Sequence, residues 1–207
     1  MLTLPTYARL NRNLPPGEHP LSTLLPGILE SPALTQIEPD ESDRKRLVAC
    51  ARVLICGPEG FAFVDVEGQR IILSESYYST GRDVDLYLDL IHELTHLRQL
   101  SQGFDLWDDR FDYVERPTEI EAYAVSIVEA QRFDMSEAEI RDYLTVPWLS
   151  DGEVDRLLEH VSGFLSGGRL PNLLRSLFGA PFIVQHPWRC AKPATARGSE
   201  PTQLMTT

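Results

Sequence analysis

The stretch from about Asp83 to Ser101 constrains this chain more than any other, because it is apolar on nearly every side of a helix and yet carries two histidines. Val84, Leu88 and Ile91 trace one row of a 3.6-residue period, and Leu86, Leu90, Leu94 and Leu97 widen that row into a broad apolar surface. Ser79 to Asp83 supplies turn and capping chemistry in front, and Gly103 stands where a helix stop is needed. Such a helix belongs at the centre of a domain. His92 and His96 therefore need partners, since a buried polar group without one costs about 1–3 kcal/mol.

His92-Glu93-Leu94-Thr95-His96 is an HExxH pattern. Positions i and i+4 lie one turn apart on one face, so both imidazoles can reach the same metal ion. Glu93 sits beside such an ion, placed to take a proton from water whose pKa the metal lowers. Catalytic zinc usually takes three protein ligands. The HExxHxxGxxH solution is closed, because Gln99 and Gln102 stand where its glycine and third histidine would be.

A glutamate on a later helix is the other solution, and Arg116 to Val125 offers two. Pro117 and Thr118 read as a helix start, with Thr118 as N-cap and Glu121 at capping-box spacing. Ile120, Tyr123, Ala124, Ile127 and Val128 mark the buried stripe, which Glu119 and Glu121 both flank. Glu121 lies nearer its centre and is the preferred third ligand, with Glu119 as the alternative. The other glutamate would orient a histidine or cap the helix.

These two motifs, His92 to His96 and then Glu119-Ile120-Glu121-Ala122 one helix and loop later, resemble the gluzincins, and among them the small ImmA/IrrE-like and minimal gluzincin metallopeptidases. The resemblance covers roughly residues 61 to 133. It implies an α+β, zincin-like fold, mainly helical, with a small antiparallel sheet or hairpin before the HExxH helix. It also implies Zn2+ held by His92, His96 and Glu121, with Glu93 as general base in hydrolysis of a protein or peptide substrate. Many gluzincins carry an acidic residue four positions after the ligand glutamate, where this chain has Tyr123 or Val125. Deamidation or ester cleavage would use the same parts. The competing expectation is a catalytically idle metal-binding module that recognises a protein partner, against which the intact Glu93 argues.

The segment before the helix fits the resemblance. Phe61 to Val66 and Arg70 to Ser74 are β-rich runs joined by Glu67-Gly68-Gln69, a hairpin signature. Its strand either edges a cleft, where an extended peptide can add to it, or is an ordinary hairpin. For stabilising an oxyanion, Tyr113 and Tyr123 are the nearest candidates and His160 a more remote one, while His186 is read as unrelated. The aromatic loop from Gly103 to Glu115 is expected to pack as a local plug, with an overhanging lid as the alternative.

With 207 residues and 43% hydrophobic content, the chain can bury one sizeable core. The expected layout is an irregular Pro-rich arm over 1–39, either wrapped on the core or mobile with its leucines hinting at docking, one domain over 40–186 and a disordered tail over 187–207. Within it, a core helix starts near Asp40 and carries Leu47 through Ile55 to a stop at Gly57-Pro58. Further helices run from Ser136 to about Tyr143 and from Asp151 to about Leu165, and an apolar stripe runs from Leu170 to Phe178. A charge of −12, from 31 acids against 19 basic residues, disfavours nucleic acid as partner. No run is long enough to span a bilayer, and no leader pattern opens the chain, so a cytoplasmic setting is expected. Cys50, Cys56 and Cys190 form no CxxC pattern and are expected as reduced thiols, the first two in the core.

Overall fold

Val53, Ile55, Ile71 and Leu73 are buried, and each alternates with a more open neighbour, as strands do when one face meets a core. The computed structural model, which describes residues 4–167, places them in a mixed α+β fold with a four-stranded sheet. Its strands are β1 (Gly17–Pro20), β2 (Arg52–Ile55), β3 (Ala62–Asp65) and β4 (Arg70–Leu73), in the spatial order β1-β2-β4-β3. The pairs β1–β2 and β3–β4 are antiparallel and β2–β4 is parallel. The expected hairpin is β3–β4. Its turn is closed by the Gly68 N–H donating to Asp65 Oδ1 at 3.0 Å, with Gln69 at φ 49°.

The sheet is thus larger than the expected hairpin and not wholly antiparallel. Arg52–Ile55, read from sequence as the end of a helix, leaves α3 (Glu41–Cys50) at an extended Ala51 and becomes a strand. β-Branched Val53 and Ile55 suit a period of two, and their burial against the core decides between the two patterns.

The N-terminal residues dock on the core, as their leucines hinted, and are more regular than an irregular arm. They form β1, α1 (Leu21–Leu24) and α2 (Pro32–Ile37), and Leu21, Leu24, Leu25 and Leu34 are fully buried in the common core. Arg12 adds a polar clasp: its guanidinium donates to Asp83 at 2.9 Å and also to the Tyr78 and Gly81 carbonyls.

α4 (Glu75–Thr80) leads into α5 (Asp83–Ser101), the helix expected from periodicity, and its 13 buried residues make it central. Gly103, at φ 83°, ends it: the Gly103 N–H donates to Leu100 O, and the Phe104 N–H reaches back to Gln99 O. α6 (Pro117–Arg132) starts with Arg116 at the cap and Pro117 in the first turn, so Thr118 is a buried helical residue and not the expected cap. α7 (Glu137–Leu144) and α8 (Asp151–Ser166) open with capping boxes from Ser136 and Glu139 and from Ser150 and Glu153. α5 packs against α6 and also against β3 and β4, which sets the centre described below between two helices and a sheet edge.

No described helix is long and apolar enough to cross a membrane. Cys50 is buried and disulfide-bonded, which corrects the expectation of a reduced thiol there, whereas Cys56 is half-buried and free. The stripe from Leu170 to Phe178, His186 and the tail from 187 lie outside the described residues.

Candidate metal centre

One turn of α5 brings His92 and His96 to a common point, with Nε2 atoms 2.9 Å apart. From the first turn of α6, Glu119 Oε2 approaches to 3.3 Å from the first nitrogen and 3.5 Å from the second. All three side chains are buried. Four-coordinate donors about 2.0–2.2 Å from a small divalent ion lie about 3.4 Å apart, so this triangle has the size of one face of such a site. His92, His96 and Glu119 form a group able to hold a metal ion.

The unmet bonding capacity points the same way. Glu119 Oε2 and His92 Nδ1 are buried with no hydrogen-bond partner. A stranded buried group costs about 1–3 kcal/mol, and more when charged. A cation facing Glu119 Oε2 and the two ring nitrogens would remove the larger part of that cost.

Glu121, favoured from sequence as third ligand, is elsewhere. Its Oε1 forms a buried ion pair with Arg98 at 2.8 Å, and its Oε2 accepts from Gln99 Nε2 at 2.7 Å. Both glutamates are buried, so the stripe alone does not separate them, and Arg98, a cation on the inward side of α5, pairs with Glu121. Glu121 instead supports His96 indirectly. Gln99 Oε1 accepts a hydrogen bond from His96 Nδ1, while its amide nitrogen is held by Glu121 and by the Thr118 carbonyl at 3.0 Å. That arrangement turns His96 Nε2 toward Glu119. From sequence, Gln99 served only to close the HExxHxxGxxH solution, although its place three residues after His96, on the same face, was a usable signal of this support.

The electrostatics of the group are those of a proton held where a cation fits. Burial lowers the His92 pKa, and the adjacent His96 lowers it further. Burial also opposes charge on His96, but the attraction of Glu119 and then Glu93 outweighs it and raises the ring to about 9. Glu119 is held well below the usual carboxylate range by His96 and His92, against the cost of burial. Glu93, also buried, is pushed up to about 8 chiefly by desolvation, with His96 and a hydrogen bond from the Val64 backbone opposing the shift.

Asp89, one turn before Glu93, accepts from Tyr77 Oη at 2.5 Å and Tyr143 Oη at 2.9 Å. Desolvation raises it to about 6. Of the two tyrosines singled out from sequence, Tyr113 lines the cavity above the centre, and its hydroxyl lies 2.9 Å from that of Tyr123. His160 lies on α8 and is not part of the candidate metal group or of the cavity lining.

The centre forms the floor of a cavity of about 440 Å³ walled by residues 60–64 of the β3 segment, by Leu106 and Trp107, and by Trp148. The aromatic loop divides its residues between the two expected roles: Leu106 packs down and Trp107 stands exposed at the cavity. Comparison with protein families, with curated proteins and with solved structures finds no match for this chain.

Proposed function

We propose that this protein is a zinc-dependent peptidase of the gluzincin type, with zinc held by His92, His96 and Glu119. One observation carries the reading: two imidazole nitrogens and a buried carboxylate oxygen without a hydrogen bond converge at the floor of an accessible cavity, with Glu93 beside them. Zinc bound there would supply Lewis acidity, lowering the pKa of water and polarising a carbonyl.

The protein's own groups supply the rest. Glu93 takes the proton from the attacking water on its carboxylate and returns it to the leaving amine nitrogen. Gln99 keeps Nδ1 of His96 protonated and so commits Nε2 to the centre. Tyr113 stays protonated because burial raises its pKa. When Tyr123 donates to its oxygen, the Tyr113 proton is free to meet negative charge developing on the substrate carbonyl.

The choice of peptides over simple esters rests on β3. It is an edge strand, and residues 62–64 line the cavity, so its free backbone groups are placed to pair with an extended chain. The cytoplasmic setting expected from sequence belongs to this proposal as well, and the bonded Cys50 counts against it.

The test is metal content and peptide hydrolysis in wild type, Glu119→Ala and Glu93→Gln. Near-equimolar zinc with activity in wild type, no zinc in Glu119→Ala, and zinc without activity in Glu93→Gln are expected. Zinc retained in Glu119→Ala would refute the ligand set. A zinc-loaded wild type that cuts no peptide would leave the idle binding module as the better account.

A further inference from the structure

Among the described residues, five large apolar side chains are exposed: Leu29, Phe61, Phe63, Trp107 and Trp148. Single exposed apolar residues are ordinary and need no explanation. These are not scattered, because every one except Leu29 lines the cavity over the candidate metal centre. They arrive from three separate segments: Phe61 and Phe63 from the β3 segment, Trp107 from the loop after α5 and Trp148 from the connection between α7 and α8. The rings are held in place. Phe61 meets Trp148 edge-on at 5.2 Å and Tyr77 at 5.5 Å, and the Arg116 guanidinium lies over Trp107 at 5.8 Å.

The charges of the lining matter equally. Apart from the centre itself, the cavity lining contains no Asp, Glu, Lys or Arg, in a chain of net charge −12. A charged side chain entering there would lose water and find no counter-ion on the walls, which is unfavourable. An aromatic or large aliphatic side chain would lose water at a gain and meet ring faces and edges. The acidic excess of the chain does not extend to the cavity walls around the centre.

We propose that the site selects extended peptide segments with a bulky apolar side chain, aromatic or leucine-like, next to the bond presented to the centre, and that Phe61, Phe63, Trp107 and Trp148 are its specificity-determining residues. This rests on the peptidase reading for the direction of the peptide bond, but the binding preference can be measured without hydrolysis.

The probes are heptapeptides Gly-Gly-Ala-X-Ala-Gly-Gly with X as Phe, Leu, Ala, Lys or Glu. Binding to zinc-loaded, full-length Glu93→Gln protein is followed by tryptophan emission and calorimetry. The Phe and Leu peptides bind about tenfold to a hundredfold tighter than the other three. The double variant Phe63→Ser/Trp148→Ser, at positions exposed enough to leave the core intact, loses that preference, and Leu29→Ser keeps it. Equal affinity for all five peptides, or a preference surviving in the double variant, would overturn the proposal. So would 1-naphthyl acetate binding as tightly as the Phe peptide, since the occupant would then be a small apolar molecule. Wild-type turnover separates the two readings: selective binding without cleavage defeats hydrolysis and keeps the selectivity, whereas cleavage of all five at one rate defeats the selectivity and keeps hydrolysis.

Discussion

Gln99 Oε1 lies 2.8 Å from Nδ1 of His96 and takes that nitrogen's proton as a hydrogen bond, so the opposite nitrogen is the one that faces Glu119. The amide cannot turn over without losing its bonds to Glu121 and the Thr118 carbonyl. Gln99→Leu frees the ring and leaves Glu121 short of a donor. Metal affinity is expected to fall about 10–100-fold, read by competition with a chelator of known affinity. Unchanged affinity would mean that packing alone holds the ring.

Glu119 and Glu121 separate by what each substitution destroys. Glu119→Gln removes the charged donor and metal is lost. Glu121→Gln keeps metal but leaves Arg98 buried and unpaired, at a cost of about 3–5 kcal/mol in stability. Metal content together with urea unfolding distinguishes the two, and an intact, fully stable but metal-free Glu121→Gln protein would reverse the assignment.

Protein stripped of metal by chelation should weaken as pH rises. His96 is raised from 6.5 to about 9, so the stability it contributes is complete below 6.5 and gone above about 9. Glu93, raised from 4.5 to about 8, likewise favours the fold only while protonated. Glu119 acts oppositely: its lowered pKa adds stability above 4.5 that is lost in strong acid. Urea midpoints of stripped protein are therefore expected to decline from about pH 4.5 through Glu93, and most steeply between 6.5 and 9 where His96 adds to it. Metal affinity is expected to climb about tenfold per pH unit over that window as one proton leaves. A flat profile in stripped protein would contradict the shared-proton description.

Asp89 gives a second pH signature away from the ligands. Its pKa of about 6, against 3.8 ordinarily, means that the fold prefers it protonated, so stability drops as pH rises from about 4 to about 6. The ceiling is about 3 kcal/mol at 1.4 kcal/mol per unit, reduced by the water that still reaches the group. Asp89→Asn should flatten that interval, as measured by thermal unfolding in a pH series.

Periodicity made α5 legible to the residue, because a helix apolar on most sides with a glycine stop has few alternatives. The β3–β4 hairpin was legible from its turn. Arg52–Ile55 was not, since a short apolar run following a helix reads as more helix until a parallel partner, here β4, is known. The arm was legible in part: its leucines hinted at docking, and Leu21, Leu24, Leu25 and Leu34 are buried, but its prolines hid β1 and the short helices. At the centre, two histidines and Glu93 followed from spacing. Which glutamate joins them did not, because the placement of Glu119 and Glu121 depends on where Arg98 and Gln99 point from another helix.

Ser31, just ahead of α2, lies within hydrogen-bonding distance of Tyr87 on α5, at 2.7 Å, and Tyr87 in turn donates to Glu129 on α6 at 3.1 Å. The helices that grip the candidate ion and the N-terminal segment are therefore stitched by one buried polar seam. Peeling that segment away costs Tyr87 its Ser31 partner, so amide protons on α2 should exchange with solvent more slowly once the ion is loaded, far from any atom that touches it.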